Sequence, residues 1–516
     1  MAPLFAGASP SYNPPVRHAS WLLAPVLALL SAAHALAAPG LTPCTPERMW
    51  ERTYHPSWSN DAPNDVATDA SGNVIVAGSE YRVDLGQGFN WVVRKYGPDG
   101  TLLWSGTRDG GVGRTEVATA VGTDAAGNVF VGGYDDLGGA ASNDWRLEKL
   151  DAAGHLLWVR TYAGPSGWDM IYALDVDRRD GSAVVTGCQM GGGAIVTWLT
   201  RKYASDGTLV WSRTNSGPGA GFHLPHDVAV GADGRVIVVG NEDRSDLGHG
   251  WDGMVLVYDQ DGLLLWSRSA VGAGSNDDDI QGVAVDGTGR IYVAGFTDAD
   301  VTTNRCVSIV GAYDPAGNLL WMDKQSGSIQ FAIGYLGRLS WQPETGVLFV
   351  AQDDFDYLRA LDGDGRELWT ADMPDDRNIA MALDALGYLA MAGTHFYYES
   401  SREWRVTRFR ARQPPPCLDQ GAPDRVVISP NPVAGDAFWA SPPLVDGADE
   451  LVIEVYNIRM QRVYRGRWVH LGRTEPGVQI RHVDRWAPGT YLLKATARLP
   501  GGGSMEFKPA RVQVSR

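Results

Sequence analysis

The stretch "GNVIVAG" (72–78) decides the fold, because versions of it recur along the 516-residue chain. Each version opens with a glycine suited to a turn and continues with alternating β-branched residues, the period-2 pattern of a β-strand. The seven versions begin at Gly72, Gly127, Gly181, Gly234, Gly289, Gly346 and Gly387. Their spacings of 55, 54, 53, 55, 57 and 41 residues indicate an internal repeat.

The rest of each unit supplies three more strands. After the glycine string comes a segment such as "WVVRKYGPDGTLLW" (91–104), which predicts two strands joined by an Asp/Gly turn. Another short strand, such as "VATD" (66–69), precedes the glycine string. Four short strands repeated seven times predict an all-β, seven-bladed β-propeller. The tryptophans that recur in the last strand are predicted to pack between blades: Trp104, Trp158, Trp211, Trp266, Trp321 and Trp369.

The N-terminal stretch "MWERTY" (49–54) resembles "LLWVRTY" (156–162), which ends a complete unit. The seventh unit stops at "WRVTRFR" (404–410) and lacks its last strand. An open propeller would expose two sheet edges that favour aggregation. We therefore expect the N-terminal strand to complete the last blade and close the ring.

The first residues predict export. Arg17 and His18 precede the apolar run "WLLAPVLALLSAAHALA" (21–37), which ends in the small-residue pattern Ala35-Leu36-Ala37. The run is shorter than the roughly 20 residues that cross a bilayer. We expect residues 1–37 to be a signal peptide, cleaved near Ala37. The mature chain would then lie outside the cell or on its surface, without a transmembrane segment.

Two cysteines flank the predicted closing strands. Cys44 lies six residues before Trp50, and Cys417 lies just beyond the strand 404–410. In an oxidising compartment these positions predict a Cys44–Cys417 disulfide. Closing so long a loop is worth on the order of 4–5 kcal/mol in the chain-entropy model. Cys188 and Cys306 fall in blades that do not touch, and we expect both to be buried thiols.

Charge excludes one class of ligand. The net charge is −16. Residues 425–516 hold 13 basic and 8 acidic side chains, so residues 1–424 carry −21. Nucleic-acid binding depends on Lys and Arg neutralising phosphates, and an acidic body disfavours it.

The seven units resemble the bacterial SBBP propeller repeats. The shared pattern is D-x-x-G-[NR]-[VI]-x-V-x-G followed by [KR]-[YL] and G-x-L-L-W, and it covers about residues 46–411. Unit six departs from the pattern with Ala351-Gln352 where Ala-Gly is usual. The resemblance implies the fold and no single activity.

The chain changes character after a linker at 412–424, "RQPPPCLDQGAPD". We therefore divide it into a propeller at 45–411, the linker, and a C-terminal domain at 425–516. Segments such as "LVIEVYNIRMQRVYRG" (451–466) alternate as strands do, which predicts a small Ig-like β-sandwich.

The C-terminal domain also resembles the sorting domain of type IX secretion. The matching residues are Pro430-Asn431-Pro432, Val455-Tyr456-Asn457 and Pro488-Gly489 with Tyr491. Met460 stands where a glycine is usual, and the ending "ARVQVSR" lacks the common leading lysine. The resemblance implies the secretion machinery as a partner, and the alternative is an ordinary Ig-like accessory domain.

One register of polar residues is the candidate site. Eleven or twelve residues before each glycine string, where the innermost strand begins, stand Asp61, Glu116, Asp169, His223, Asp278, Tyr335 and Asp376. These residues, called the ring below, are expected at one mouth of the axial channel. Loops on the same face repeat E-x-R-x-D-L-G-x-G-aromatic in units one and four, which adds Arg82 and Arg244 and ends on Phe89 and Trp251.

The ring has two interpretations. Carboxylates at a strand start commonly accept backbone N–H bonds, which makes them structural. The alternative is a polar or cation-binding funnel grafted on a symmetric scaffold. The sequence holds no metal, nucleophile or cofactor motif, so no cofactor is expected, and Ca²⁺ has no motif to support it.

Two functions follow. The first is a secreted or surface-held, non-catalytic binding scaffold for a glycan or protein ligand. The second is an extracellular enzyme, a hydrolase or lyase acting on polysaccharide at the channel mouth, where paired carboxylates roughly 5–10 Å apart could cleave glycosides. A strongly raised carboxylate pKa in the ring would favour the enzyme. Carboxylates held by backbone N–H groups would favour the scaffold.

Overall fold

The computed structural model describes twenty-two stretches of the chain. They are residues 47–56, 60–110, 114–136, 143–165, 168–190, 196–219, 221–248, 250–269, 277–300, 305–327, 338–352, 357–372, 377–398, 401–410, 427–429, 437–441, 450–456, 462–469, 478–481, 489–498, 504–506 and 510–514. Within these ranges nearly every element is a β-strand, apart from single-turn 3-10 helices at Val83–Leu85 and Ser245–Leu247.

The first strand, β1 (Glu47–Tyr54), is followed by six antiparallel sheets of four strands paired in chain order. Blade 1 holds β2 (Ala62–Thr68), β3 (Val74–Tyr81), β4 (Phe89–Tyr96) and β5 (Leu102–Arg108). Blade 2 holds β6 (Glu116–Thr123), β7 (Val129–Asp136), β8 (Asn143–Leu150) and β9 (Leu156–Tyr162). Blade 3 holds β10 (Met170–Val176), β11 (Ala183–Met190), β12 (Val196–Tyr203) and β13 (Leu209–Asn215).

The next sheets repeat this order. Blade 4 holds β14 (Leu224–Val230), β15 (Val236–Asp243), β16 (Trp251–Tyr258) and β17 (Leu264–Ser269). Blade 5 holds β18 (Asp277–Val285), β19 (Ile291–Asp300), β20 (Arg305–Tyr313) and β21 (Leu319–Gly327). Blade 6 holds β22 (Arg338–Gln342), β23 (Val347–Gln352), β24 (Tyr357–Asp362) and β25 (Glu367–Asp372).

Blade 7 contains strands that lie far apart in the sequence. It holds β26 (Arg377–Leu383), β27 (Tyr388–Tyr398) and β28 (Ser401–Arg410), with β1 as the fourth strand. β1 runs antiparallel to β28, from Glu47 beside Arg410 to Tyr54 beside Trp404. The inner strand of each blade packs against the inner strand of the next, and β26 packs against β2. The fold is a seven-bladed β-propeller, as the repeat predicted.

The described residues between 427 and 514 form two more antiparallel sheets. The strands are β29 (Val427–Ser429), β30 (Ala437–Ser441), β31 (Glu450–Tyr456), β32 (Arg462–Val469), β33 (Val478–Arg481), β34 (Gly489–Arg498), β35 (Ser504–Glu506) and β36 (Ala510–Val514). β30 pairs with β29 and β33, whereas β34 pairs with β31, β35 and β36, and β31 pairs with β32. Ile453, Val455 and Leu493 are fully buried on the second sheet.

The D-x-x-G motif forms the turn between the first two strands of a blade. In blade 1, Oδ1 of Asp69 accepts the N–H groups of Ser71 and Asn73 at 2.9 and 3.0 Å. Its Oδ2 lies 2.9 Å from the Nζ atom of Lys95 on the third strand, and both side chains are buried. The pairs Asp124–Lys149 and Asp177–Lys202 repeat this arrangement in blades 2 and 3. In blades 1 to 3 the motif aspartate therefore fixes the turn and forms a buried ion pair with the third strand.

The G-x-L-L-W motif joins neighbouring blades. The indole N–H of Trp104 on β5 donates to the carbonyl of Ala152 in the turn between the last two strands of blade 2, at 3.1 Å. The indole ring also covers Gly154 in that turn, where a Cβ atom would lie 2.9 Å from Trp104 and φ is +89°. The same indole bond runs from Trp158 to Ser205, Trp211 to Gln260, Trp266 to Pro315 and Trp321 to Gly363, at 3.0–3.2 Å. The repeated tryptophans are packing residues between blades, as predicted.

Candidate functional site

Five ring residues lie in the described part of the chain, all at or next to the start of an inner strand. They are Asp61, Glu116, Asp169, His223 and Asp278, and each side chain is at most 1% exposed. We call the side of the propeller on which the inner strands begin the upper face. None of the five lines the axial channel. Tyr335 and Asp376 lie outside the described residues.

Three ring carboxylates tie the start of an inner strand to the adjacent second strand. Asp61 accepts the N–H of Tyr81 at 2.9 Å and lies 3.1 Å from Nδ1 of His55. Asp169 accepts the N–H groups of Gly164 and Met190 at 2.5 and 3.2 Å. Asp278 accepts the hydroxyl of Thr297 at 2.7 Å. These contacts match the structural interpretation of the ring.

Glu116 differs from these carboxylates. Its oxygens make no hydrogen bond of normal geometry within the described ranges, although the backbone N–H of Gly110 lies close. The N–H of Asp136, which corresponds to that of Tyr81 in blade 1, donates instead to the carbonyl of Thr115 at 3.1 Å. Glu116 therefore has no counterpart of the backbone bond that anchors Asp61.

Burial raises the pKa of the ring carboxyls. The pKa of Asp61 rises to about 6, with the N–H of Tyr81 and the ring of His55 opposing the rise. The pKa of Glu116 rises to about 7, because burial and the nearby charge of Asp135 both disfavour its ionised form. The pKa of Asp169 is also raised by burial. Since these groups are buried, their protons are not exposed to a substrate on the upper face.

His223 occupies the ring position in blade 4. Its Nε2 lies 3.3 Å from the carbonyl of Gly219, and its Nδ1 has no hydrogen-bond partner in the described residues. The glycine-rich segment before it covers the imidazole, since a Cβ atom on Gly217 would lie 2.5 Å from Cε1. The second histidine of the sequence pair, His226, lies 3.1 Å from Asp279. The two histidines thus have separate partners.

Arg82 and Arg244 lie in corresponding loops on the upper face. Arg82 donates two 2.8 Å bonds to the carboxylate of Asp84, and Arg244 donates at 3.1 Å to Asp246. Both guanidinium groups are therefore held by their own loop. The loops present Leu85 and Leu247, each 56% exposed, to solvent.

Three exposed aromatic side chains also lie on the upper face: Trp251, which ends the loop motif of unit four, and two that the sequence motifs do not include. Trp168 is 40% exposed, Phe222 is 43% exposed and Trp251 is 37% exposed. Trp168 and Phe222 directly precede the ring residues Asp169 and His223. The signal was available in the sequence, since aromatic residues stand immediately before two consecutive ring positions.

Each of these aromatics lies where one blade meets the next. Trp168 forms a parallel bridge with Asn143 at the start of β8, and Phe222 forms the same bridge with Val196 at the start of β12. At the junction of blades 4 and 5, the residue before the ring residue Asp278 is Asp277, which is not aromatic. The exposed aromatic at this junction is Trp251, the first residue of β16 in blade 4. The N–H of Trp251 donates to Asp277 at 3.0 Å. Three consecutive junctions thus present one exposed aromatic each.

The axial channel has a volume of about 660 Å³ and is lined by the inner strands. Its half-buried carboxylates are Asp65, Asp175 and Asp227. Each accepts the N–H of the next residue and an N–H of another blade's inner strand, those of Val121, Val230 and Val283. The repeated "P-x-D-V-A" at 63–67 and 225–229 was the sequence signal for two of them.

Burial in the channel changes the pKa values of these carboxyl groups. Burial raises the pKa of Asp65 to about 7 and that of Asp175 to about 6, and it also raises the pKa of Asp227. The charge of Arg338 acts in the opposite direction on Asp65 and Asp227. Because their oxygens accept backbone N–H groups from two blades, these carboxylates hold the inner strands together.

The described residues contain a free cysteine thiol and no cluster of metal-binding side chains. Cys188 is a buried free thiol, as expected, and burial raises its pKa. Cys306 lies in β20, whereas Cys44 and Cys417 of the predicted disulfide lie outside the described residues. In the described ranges no three His, Cys, Asp or Glu side chains come together as a metal-binding group. Nor does any helix there have the length and apolar character to span a membrane.

Comparison with known proteins supports the repeat. The family model described as SBBP, a beta-propeller repeat, matches residues 265–301, which run from blade 4 into blade 5. A solved structure titled "Structure of Dos1 propeller" is similar over 70% of this chain and 94% of its own, with a TM-score of 0.45 and 9% sequence identity. No curated protein matches the chain.

Proposed function

We propose that the protein is a non-catalytic binding scaffold that works outside the cell or on its surface. One observation carries this proposal: Asp61, Asp169 and Asp278 face inward and bond to their own blade, while Trp168 and Phe222 next to two ring residues face outward. The buried ring holds the fold, and the exposed neighbours are available for a ligand. Because the buried ring side chains serve the fold, the binding surface consists of the exposed side chains on the upper face.

The enzyme hypothesis needs paired carboxylates, and the ring residue Glu116 has a second carboxylate, Asp135, beside it. Their side chains belong to paired residues on β6 and β7, and the raised pKa of Glu116 suits a general acid. Both side chains are 1% exposed, however, and the Gly110 backbone lies against the Glu116 carboxylate. A general acid must come within hydrogen-bond reach of its substrate, and this burial argues against it.

The parts of the chain outside the propeller complete the proposal. Residues 1–37 act as a signal peptide, and the domain at 425–516 is an Ig-like sandwich that directs sorting by type IX secretion. β1 closes the propeller by supplying the outer strand of blade 7, and a Cys44–Cys417 disulfide secures that closure. The supporting features are the β1–β28 pairing and the sequence motifs quoted above.

The test uses the mature chain from Ala38. Thermal unfolding is measured with Ca²⁺ and with panels of glycans and peptides, because a ligand that binds only the folded state raises the melting temperature. Every glycan that shifts the transition is then incubated with the protein and analysed for new reducing or unsaturated ends. We expect a shift without products. Cleavage products that disappear in Glu116→Gln would establish the enzyme instead.

A further inference from the structure

Resting on the proposed binding function, this inference concerns the ligand of the upper face. We propose that Trp168, Phe222 and Trp251, the aromatic row, bind a neutral oligosaccharide or polysaccharide chain. Each aromatic side chain stacks against the apolar face of one sugar ring. The hydroxyl groups of the chain bond to polar groups between the aromatics.

Backbone hydrogen bonds hold the chain beside two members of the row. The N–H of Asp169 donates to Asn143 at 2.9 Å directly beside Trp168, and the N–H of His223 donates to Val196 at 3.0 Å directly beside Phe222. Both following side chains are fully buried. A fixed backbone reduces the ordering cost on binding, which favours ligand affinity.

The row also repeats. Its members lie at three consecutive blade junctions, 2/3, 3/4 and 4/5, beside the start of the third strand of blades 2, 3 and 4. These junctions follow one another around the propeller, so the aromatics lie in a curved row. A ligand that repeats one ring along a chain matches such a surface. At junction 1/2 the corresponding Phe89 instead packs on Tyr81, with ring centroids 4.8 Å apart.

The charges around the row favour a neutral ligand. Arg244 is paired with Asp246 and lies 3.6 Å from Asp252. Asp277 accepts the N–H of Trp251, and Asp243 accepts the N–H of Ser245 at 2.8 Å. The net charge of −16 would repel a polyanion. A polycation would have to compete with the groups that already bond to the carboxylates near the row.

The polar groups between the aromatics distinguish a sugar chain from a protein partner. A stable protein interface buries about 800 Å² on each side around a closely packed apolar centre. Here the aromatics lie at separate blade junctions, and Asp243 lies between the last two: it faces Gly221 next to Phe222 and pairs with Trp251 across β15 and β16. Apolar aromatic faces that alternate with hydrogen-bond acceptors suit a sugar chain, because each sugar unit has both an apolar face and hydroxyl groups.

The experiment is calorimetric titration of the mature chain with neutral oligosaccharides, from disaccharide to hexasaccharide, of the cello, xylo, chito, malto and laminari series. We expect one series to bind more tightly with length until the chain spans the row. Trp168→Ala, Phe222→Ala and Trp251→Ala should each weaken binding of the longest member by about tenfold. The triple variant should show no binding. Leu263→Ala removes an apolar side chain that is 64% exposed outside the row, and it should bind as the parent does.

The outcomes separate this inference from the proposed function. The variants change exposed residues, and an unchanged melting temperature confirms that they fold. A folded triple variant with parental glycan affinity would overturn the inference. Peptide binding without glycan binding would also overturn it, while leaving the scaffold function in place. Loss of glycan binding in the triple variant, together with cleavage by the parent, would support the row and overturn the non-catalytic function.

Discussion

The indole N–H of Trp50 donates to the backbone carbonyl of Pro98 at 2.9 Å, which connects the first strand to the last turn of blade 1. Two residues later, Nε of Arg52 donates to the carbonyl of Gly100 at 2.8 Å. Trp158 and Arg160 make the same two bonds from blade 2 to Ser205 and Gly207 of blade 3. β1 therefore makes the contacts of an outer strand, as β9 does in blade 2.

We expect Trp50→Ala to destabilise the propeller as strongly as a core substitution. The side chain is buried against the turn of blade 1, and truncating a buried tryptophan costs about 3–5 kcal/mol. Guanidinium unfolding of the chain from Ala38 onward measures this cost. Met49→Ala is the matched control, since Met49 is the neighbouring exposed residue of the same strand. Equal midpoints for the two variants would contradict the role given to β1.

The outer tryptophans predict a difference between two otherwise similar substitutions. Trp211 and Trp369 are 6% and 8% exposed, but only Trp211 has an acceptor, the carbonyl of Gln260. Trp369 finds none in the described residues, because β28 and β1 are not joined by a turn. Trp211→Phe should therefore cost about 1 kcal/mol more than Trp369→Phe in the free energy of unfolding. Urea unfolding of both variants checks this, and the opposite order would refute it.

Asp169→Asn should destabilise the protein. The carboxylate accepts two backbone N–H groups, whereas an asparagine offers one acceptor and turns its NH₂ group toward the other donor. An unsatisfied buried donor costs about 1–3 kcal/mol. The melting temperature, measured near neutral pH, should fall. An unchanged value would mean that Asp169 is not an anchor.

Glu116→Gln should have the opposite effect, and the effect should depend on pH. Its pKa is about 7 in the folded protein against an ordinary value of 4.5, so the folded state binds more protons between these values. Stability of the parent therefore falls as pH rises through this window and stays low above it. Glutamine does not titrate. We expect the variant to match the parent near about pH 4 and to exceed it by about 1–2 kcal/mol near about pH 8.

Unfolding by urea at the two pH values tests this prediction. Asp61, Asp65 and Asp175 also have raised pKa values, but they are present in both proteins and cancel in the difference. A variant that is less stable than the parent at the higher pH would show that Glu116 is ionised and well bonded in the folded state.

The propeller could be predicted because neighbouring blades repeat the same local chemistry. Asp69, Lys95 and Trp104 each stand at a fixed place in the unit, and each makes the same contact in neighbouring blades. Because the pattern occurs seven times, each copy supports the same number of strands per blade, and the number of copies gives the number of blades. The prediction that the N-terminal strand closes the ring rests on the same period, since Trp50 lies 54 residues before Trp104.

The candidate site was less accessible to sequence reasoning. Whether Asp169 or Trp168 faces solvent depends on the bridge to Asn143 and on a bulge between Ile171 and Ala173, which the period-2 pattern does not reveal. The burial of Glu116 depends on the Gly110 backbone, which comes from the preceding blade. Such features arise from packing between repeats, so no single unit encodes them.

Blade 7 has a consequence for the order of events during synthesis. Its outer strand is made first and its other three strands are made after the six remaining blades, so Glu47 must wait for Arg410 before the two can pair. Contacts this distant in sequence form slowly, and the unpaired strand edges stay exposed in the meantime. An export route that carries the chain unfolded would postpone this last pairing until the whole propeller has left the cytoplasm.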